Sequence, residues 1–338
     1  MKKSLILAIE TSCDDTSAAL IDGNCDVFSN VISSQEEVHL KYGGVVPELA
    51  SREHIRTLTP IMEMALEKAE LGLKDIDAIA VSANPGLIGS LLVGVSFAKG
   101  LAFSLKKPLI AVNHIFGHVF ANFLEHKDIK FPFLALIVSG GHTELVIFFS
   151  AVEYTILGKT VDDAAGEAFD KIGKLLGLPY PGGPHIDALA SGGNKLATAF
   201  PLPMLKHKNF DFSFSGLKTA GMLFLKEKGT LDEAQTHDFA ASFQHAIVEV
   251  LFWKTIKALE KYSLKTLLLA GGVAANSELR STFSEYCNKH NVKLHYPSEE
   301  YCTDNAAMIG AAAQFKYKKK KFATLELNAS SVKGMKLL

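Results

Sequence analysis

Two stretches of the sequence decide the fold: LILAIETSCDDTSAALID at residues 5–22 and LALIVSGGHTELVIFF at residues 134–149. Each begins with an apolar run, continues into a turn of small and polar residues, and ends in a second apolar run. Short apolar runs bounded by turn residues predict buried strands. Each stretch begins one α/β half of the chain, and this repeat predicts two similar domains that face each other across a cleft.

The composition is that of a globular protein of about two domains. The chain has 338 residues, with 35 Lys and Arg against 36 Asp and Glu, so its formal net charge is -1. Hydrophobic residues make up 48% and charged residues 21%. This balance excludes a disordered chain, a fibre and a strongly basic nucleic-acid coat protein. A charge near zero also argues against tight, unaided binding to a phosphate backbone.

The cysteines and the hydropathy pattern bear on the compartment. Cys13, Cys25, Cys287 and Cys302 are scattered, with no C-x-x-C pair, so neither a disulfide framework nor a zinc ribbon is indicated. The first apolar run ends at Glu10 and is shorter than a signal-peptide core of ~7–15 residues. We see no run that approaches the ~20 apolar residues of a membrane span. We therefore expect a cytoplasmic protein without a membrane segment.

The rest of the chain alternates predicted helices and strands. Apolar periodicity predicts helices at 47–70, 87–104, from Asn113 onward, 236–262 and 304–320. Strands are expected at 108–112, 266–270 and 293–297, and within 77–86, where the strand ends in a Pro-Gly loop. A further helix is expected after the Gly-Gly turn within 264–280. The two predicted domains cover residues 1–128 and 129–303, and the C-terminal helix at 304–325 is expected to pack back on the first domain.

His114 and His118 are the first candidate site. Their i, i+4 spacing places both imidazoles on one helix face with Cβ atoms ~6 Å apart, which suits a shared metal ion. A pair of solvated or hydrogen-bonded histidines is the structural alternative, because HxxxH alone is an unspecific motif. A zincin-type metalloprotease needs H-E-x-x-H, whereas Ile115 and Phe116 follow His114 here. The general base of that mechanism is therefore missing.

Asp304 lies in YCTDNAAMIG, at the entry to the last predicted helix. Aspartate in such a position is a routine N-cap. Together with His114 and His118 it would complete a set of two histidines and one carboxylate, which leaves coordination positions open and suits Fe(II), Mn(II) or Zn(II). The two-domain repeat favours their proximity, because all three residues lie at loop or helix ends that face the predicted cleft.

Two glycine pairs directly follow predicted strands. Ser139-Gly140-Gly141 comes after the strand that ends near Val138, and Gly271-Gly272 comes after residues 266–270. Glycines let a backbone approach a ligand closely and offer N–H groups to an anion. A plain hairpin turn uses the same residues and is the alternative. Asn276 follows the second pair and is placed to bond the polar edge of a flat ring.

Acidic and basic residues supply weaker signals. Asp170, Gly183 and Asp187 are spaced across a helix and the loop PYPGGP, and a carboxylate beside a nucleotide commonly accepts hydrogen bonds from ribose. A solvated helix face with a structural turn is the alternative. Basic residues form two groups and one C-terminal run: Lys206, His207, Lys208 and Lys218; Arg52, His54 and Arg56; and Lys316–Lys321. Aromatic residues interleaved with lysines could follow a nucleic-acid strand. Solvated charge is the alternative, which we favour in the absence of other support.

Taken in order, the motifs of residues 5–313 resemble one family. They are IETSCDDTSAALID, GGVVPELASREH, NHIFGH, VSGGHTEL, DDAAGEAFDK, YPGGPHIDALA, FSFSGLKTA, GGVAANSELR and YCTDNAAMIG. The family is that of the tRNA N6-adenosine threonylcarbamoyltransferases, once described as O-sialoglycoprotein endopeptidases. The resemblance implies the two-lobed α/β fold of actin, Hsp70 and sugar kinases, with two duplicated RNase H-like domains and a central cleft.

The resemblance also implies a reaction and a set of site residues. The enzyme would move the threonylcarbamoyl group from L-threonylcarbamoyl-adenylate to N6 of adenosine 37 in tRNAs that read codons beginning with A, releasing AMP. By position, His114, His118 and Asp304 match the family's metal ligands, for one Fe(II) per subunit with Zn(II) as the alternative. Asp14 and Asp15 match an acidic catalytic pair, although many members have Glu at the second position. The family's substrate-binding residues match Ile137, Val138, Ser139, Gly140, Gly141, Asp170, Gly183, Asp187 and Asn276.

The implied partners are tRNA, threonylcarbamoyl-adenylate, a fold-sharing paralogue as dimer partner, and a small P-loop ATPase, with a separate synthase that makes the adenylate. No membrane partner is implied. Three other functions remain open. An actin-like ATPase or sugar kinase would bind ATP and Mg²⁺ through carboxylates and water rather than imidazoles. A metalloprotease is the older description of the family, and a non-catalytic scaffold of the same fold would lack the metal ligands.

Overall fold

The computed structural model describes residues 4–332. Within that range the strands are β1 (Leu5–Glu10), β2 (Asp15–Asp22), β3 (Val27–Ser34), β4 (Ala78–Asn84), β5 (Leu109–Asn113), β6 (Phe133–Val138), β7 (Thr143–Ser150), β8 (Glu153–Lys159), β9 (Thr266–Ala270) and β10 (Lys293–His295). The α-helices are α1 (Glu36–Leu40), α2 (Pro47–Lys68), α3 (Ile88–Leu105), α4 (His114–Glu125), α5 (Ala165–Leu175), α6 (Gly182–Ala190), α7 (Ser215–Lys228), α8 (Glu233–Lys261), α9 (Ser277–His290), α10 (Glu299–Cys302) and α11 (Ala306–Lys318). Leu73–Asp75 and Gly272–Ala275 form single 3₁₀ turns.

The chain divides into two compact units. The first contains the described residues up to Ile129 together with those from Pro297 onward, and the second contains Lys130–Tyr296. The first unit therefore holds β1–β5 with α1–α4, α10 and α11, and the second holds β6–β10 with α5–α9.

Each unit is built on one five-stranded sheet, and the two sheets have the same design. The strand order is β3-β2-β1-β4-β5 in the first unit and β8-β7-β6-β9-β10 in the second. In both sheets the first three strands of the unit pair antiparallel, and the fourth is parallel to the first. The fifth is parallel to the fourth. The predicted duplication of an α/β fold is confirmed by this shared order and direction.

The apolar strand β1 has helices on both of its faces. All its residues, LILAIE, are buried, which requires cover on each side of the sheet. On one side Leu7 and Leu20 pack in a core cluster with Met62 of α2. On the other side α11 comes so close that a Cβ on Gly310 would lie 2.4 Å from Cγ2 of Ile21. The C-terminal helix is thus part of the core of the first unit.

Among the described residues, helix α3 is long and apolar enough to cross a membrane, judged by length and composition alone. Its residues Val95, Ala98 and Ala102 belong to a core cluster with Ile79 and Val81 of β4. A helix that packs against a sheet inside a globular domain passes the same test of length and composition. We interpret α3 as a core helix of the first unit.

The structure differs from the sequence-based expectations at the sheet edges. Strands β3 and β8 were not predicted, because their residues are largely half-buried or exposed and lack the apolar run of a central strand. The helix expected around Asp170 is α5, and a second helix, α6, follows the loop PYPGGP; the buried residues of both are mostly small, such as Gly166, Ala168 and Gly182.

Two residues predicted to be solvated are wholly or partly buried in the first unit. His54 is fully buried on α2, where its Nδ1 is 2.8 Å from Oγ1 of Thr16 and its Nε2 is 2.9 Å from the carbonyl oxygen of Cys13. Lys316 donates to the carbonyl oxygen of Ala111 at 2.8 Å, and burial lowers the pKa of its ammonium group to about 8. The interpretation of these two residues as solvated charge was wrong, because their helices turn those positions toward the sheet.

Candidate functional site

The histidine pair lies in the first two turns of α4. Asn113 caps this helix, since its Oδ1 accepts hydrogen bonds from the backbone N–H groups of Ile115 at 2.9 Å and Phe116 at 3.2 Å. His114 and His118 follow one turn apart, and their ring centroids are 4.7 Å apart. The two imidazoles share one helix face, as the i, i+4 spacing predicts.

Asp304 lies two positions before Ala306, the first residue of α11. The N-cap of α11 is Asn305, whose Oδ1 accepts from the backbone N–H of Met308 at 2.9 Å. The capping alternative for Asp304 is therefore wrong, because the next residue has that role. Oδ1 of Asp304 instead lies 3.4 Å from Nε2 of His114 and 3.2 Å from Nε2 of His118.

Close packing of α11 on α4 brings Asp304 to the histidines. Gly117 lies between them in the sequence, and a Cβ on it would be 2.9 Å from Cδ1 of Ile309 and 3.1 Å from Cγ of Met308. A larger residue there would force the side chains of Ile309 and Met308 to shift. The first residue of α11 is also anchored, because the N–H of Ala306 donates to Oγ of Ser17 in β2 at 2.9 Å.

The three side chains are suited to one metal ion. One ligand atom from each of His114, His118 and Asp304 lies within 4.8 Å of the others. The histidine side chains are 11% and 2% exposed, against 23% for Asp304, so the accessible side of the site is that of the carboxylate. Two imidazoles and one carboxylate form a ligand set that fits Fe(II), Mn(II) or Zn(II) and leaves coordination positions for a substrate.

A further carboxylate, that of Glu10, contacts His114 and was not predicted from the sequence as a site residue. Oε2 of Glu10 is 3.0 Å from Nδ1 of His114, on the side of the ring opposite Nε2. Burial alone would lower the pKa of the imidazole, but the charges of Asp304 and Glu10 outweigh burial and raise the pKa of His114 to about 9. The available signal was an acidic residue at the end of an otherwise apolar strand.

The acidic pair of the first turn lies in the same unit as the metal ligands. Asp14 is in the turn, and Asp15 is the first residue of β2 rather than a turn residue. Burial, together with the negative charges of Asp304 and Asp14, raises the pKa of Asp15 to about 7. The turn itself is held by neighbouring elements, since the carbonyl oxygen of Ser12 accepts from the N–H of Leu87 at 2.8 Å.

In the second unit, the two glycine loops lie side by side. Gly271 has φ +88, and a Cβ on it would be 2.5 Å from the carbonyl oxygen of Val138, so only glycine fits there. The N–H of Ser139 donates to the carbonyl oxygen of His142 at 2.8 Å, which closes the turn after β6. The structure thus brings the strand end at 137–141 together with the loop after β9.

Asp170 of α5 lies next to the first of these loops. Its Oδ1 accepts from the N–H of Gly182 at 2.8 Å, and its Oδ2 is 4.0 Å from where a Cβ of Gly140 would be. Burial raises the pKa of Asp170, while hydrogen bonds from the N–H groups of Gly182 and Gly183 act against the rise. This carboxylate therefore binds the start of α6, where Gly183 lies, and is close to the glycine loop.

Asp187 and Asn276 are joined by Gln244, which the sequence reasoning missed. Oδ1 of Asp187 accepts from Nε2 of Gln244 at 3.0 Å and from Oγ of Ser277 at 2.7 Å, and its Oδ2 accepts from the N–H of Ser277 at 2.9 Å. Nδ2 of Asn276 donates to Oε1 of Gln244 at 2.7 Å, and its Oδ1 caps α9 by accepting from the N–H of Leu279. The only signal was a polar residue among the buried positions of α8.

The fold and the ligand set define an α/β protein of duplicated actin-like domains with a candidate metal centre in its first unit. Among solved structures, full-length HypF in its phosphate- and nucleotide-bound form matches with a TM-score of 0.62 and 13% identity, over 96% of this chain and 57% of that one. Component A of (R)-2-hydroxyglutaryl-CoA dehydratase from Acidaminococcus fermentans matches with a TM-score of 0.54 and 12% identity, over 94% and 99%. These likenesses show the fold alone.

The sequence comparisons identify the family. The model of the tRNA N6-adenosine threonylcarbamoyltransferases matches residues 26–311. The curated enzyme of that name from Syntrophomonas wolfei is 50% identical over 329 residues, which are 97% of each chain. That from Thermosipho africanus is 52% identical over 316 residues, covering 93% of this chain and 95% of the relative. The chain belongs to the tRNA N6-adenosine threonylcarbamoyltransferase family, as its motifs predicted, and is a transferase that modifies tRNA.

Proposed function

We propose that this enzyme takes L-threonylcarbamoyl-adenylate as donor and modifies N6 of adenosine 37 in tRNAs that read codons beginning with A. A bond forms between N6 and the carbamoyl carbon, the bond from that carbon to the phosphate oxygen of AMP breaks, and N6 loses one proton. The observation that carries the proposal is the convergence of His114, His118 and Asp304 within 4.8 Å in a chain of this family.

The chemistry sets the demands on the site. The exocyclic amine of adenine is a poor nucleophile, because its lone pair is delocalised into the ring. The donor is a mixed anhydride with AMP, so its leaving group is already good. What remains is to position the two substrates and to stabilise negative charge on the carbamoyl and phosphate oxygens.

His114, His118 and Asp304 would hold the metal ion, for which we propose Fe(II), with Zn(II) as the alternative. When bound, such an ion supplies Lewis acidity and a template for anionic oxygens. The imidazoles are held by the start of α4, and the carboxylate by the capped start of α11. Both supports are helix termini inside the first unit, which keep the ligand atoms in place before an ion binds.

We assign the donor's nucleotide to the second unit. The N–H of Ser139 is used within its own turn, so the N–H groups of Gly140 and Gly141 are the ones we assign to phosphate oxygens. Residues Ile137 and Val138 carry this turn at the end of β6. Asp170 and Asp187 would accept from ribose hydroxyls or the threonyl group. Gly183 with Asn276 and the adjacent Gly271–Gly272 loop would flank adenine.

Asp14 and Asp15 would act on the tRNA side, as proton acceptor for N6 or as positioning groups. Their position supports this role, because Asp15 is close enough to Asp304 for the charge of Asp304 to raise the pKa of Asp15. We propose that the two units described above are the two duplicated domains. We further propose a cytoplasmic enzyme that works with a fold-sharing paralogue and a small P-loop ATPase, which supply tRNA contacts that its net charge of -1 does not.

The test is restoration of tRNA modification in cells depleted of the enzyme. We expect His114→Ala and Asp304→Asn to leave threonylcarbamoyl-adenosine at the depleted level, measured by mass spectrometry of tRNA nucleosides. His207→Ala, which changes an exposed histidine in the second unit, should restore it fully. Complete modification by either site variant, at an expression level equal to wild type, would refute the proposed metal centre.

A further inference from the structure

Glu10, the last residue of β1, is a fully buried carboxylate beside the candidate metal centre. Its Oε1 accepts hydrogen bonds from the N–H of Ser12 at 2.5 Å and from Oγ of Ser82 at 2.9 Å. Its Oε2 is 3.0 Å from Nδ1 of His114. A buried carboxylate is costly unless its oxygens are hydrogen-bonded; here Oε1 has two donors, and Oε2 lies within hydrogen-bond distance of an imidazole nitrogen. The network therefore holds Glu10 in one position.

We infer that Glu10 is a positioning residue of the metal centre, which accepts a hydrogen bond from Nδ1–H of His114 and so leaves Nε2 of that ring to bind the ion. The inference rests on the proposed metal site and extends it to a residue that does not touch the ion. Nε2 of His114 lies 3.4 Å from Oδ1 of Asp304, while Nδ1 faces Glu10. Metal-binding histidines commonly donate their second N–H to a carboxylate, which fixes both tautomer and ring orientation.

A carboxylate is the group that secures this tautomer. Oγ of Ser12 is also 3.0 Å from Nδ1 of His114, but a hydroxyl either donates or accepts and so permits both tautomers. An ionised carboxylate only accepts, and therefore requires a proton on Nδ1. Nδ1 of His118, in contrast, is buried without a hydrogen-bond partner. The orientation of the first histidine thus depends on Glu10, and that of the second on packing.

The experiment compares Glu10→Gln with Glu144→Gln in the purified full-length protein. Both variants remove a buried strand carboxylate, but Glu144 lies in β7 of the second unit. We measure the dissociation constants for Zn²⁺ and Co²⁺ by competition with a chelator. We expect Glu10→Gln to bind these ions ~10–100-fold more weakly than wild type, and Glu144→Gln to bind them as wild type does. Nitrogen NMR of the Zn²⁺-loaded wild type should show His114 protonated on Nδ1.

Three results would overturn the inference: an unchanged dissociation constant in folded Glu10→Gln, equal weakening in Glu144→Gln, or a proton on Nε2 of His114 in the loaded protein. If Glu10→Gln does not fold, Ser82→Ala decides, because it removes one hydrogen bond to the carboxylate and should weaken binding in the same direction by less. Wild type that binds neither ion would refute the metal assignment itself. Metal binding that depends on Glu10, with full tRNA modification by His114→Ala, would refute the proposed function and leave this inference standing.

Discussion

Glu144 offers a test of the structure through pH. It lies in β7 between Ile137 of β6 and Lys159 of β8, and is 3% exposed. Among the described residues, no hydrogen-bond partner for its Oε2 is present. Burial raises the pKa of Glu144 from its ordinary value of 4.5 to about 7, although the charge of Lys159 opposes the rise. We predict that Glu144→Gln stabilises the protein at neutral and alkaline pH.

The size and sign of the effect follow from linkage. A pKa raised in the folded state means that the ionised carboxylate is disfavoured there, so the destabilisation is absent below pH about 4.5 and complete above pH about 7. The shift corresponds to ~3 kcal/mol at ~1.36 kcal/mol per pKa unit. Glutamine has a similar shape and no charge to bury. It should therefore raise the free energy of unfolding by ~3 kcal/mol at pH 8 and by less than ~1 kcal/mol at pH 5.

The assay is urea unfolding followed by circular dichroism at pH 5, 6.5 and 8. Other groups titrate over this range in both proteins, so the difference between variant and wild type isolates Glu144. Glu153→Gln, at the exposed first residue of β8, is the matched control and should change stability little at any pH. Equal stability of wild type and Glu144→Gln at pH 8, or a gain that is the same at all three values of pH, would refute the reasoning.

Two further predictions concern helix α11. Asn305→Ala removes its N-cap, which should lower the free energy of unfolding by ~1 kcal/mol and weaken metal binding, because Asp304 directly precedes the cap. As the control, Asp232→Ala removes the cap of α8 and should lower stability without changing metal affinity. If Asn305→Ala binds metal as tightly as wild type, the cap does not help to hold Asp304 in place. Burial lowers the pKa of Lys316 from 10.5 to about 8. The charged amine therefore destabilises the folded state fully below pH about 8, and this destabilisation disappears as the pH rises toward 10.5. Lys316→Met should accordingly be more stable than wild type at pH 7, with a gain that shrinks by pH 10 in urea unfolding, and a gain independent of pH would exclude this cause.

Much of the candidate site could be predicted because it depends on neighbours along the chain. The capped start of α4 needs only Asn113 and the two residues it caps, and the shared face of His114 and His118 follows from 3.6 residues per helical turn. The two strand–turn–strand motifs that decide the fold are likewise local, since the two strands of each motif pair across a turn of a few residues. Edge strands β3 and β8 escaped prediction, because half-exposed strands carry no continuous apolar signal.

The sequence by itself therefore determined the duplicated α/β fold, the histidine pair and the family. Only the tertiary structure decided which distant side chains meet. Glu10 contacts His114 across 104 positions, and Asp304 reaches both histidines because Gly117 lets α11 pack closely on α4. Such contacts depend on how helices and strands pack on one another. That packing is decided by side-chain volumes across the whole core, so it cannot be predicted from a local sequence pattern. For the same reason no local pattern shows that His54 and Gln244 are buried or that Lys316 is half-buried.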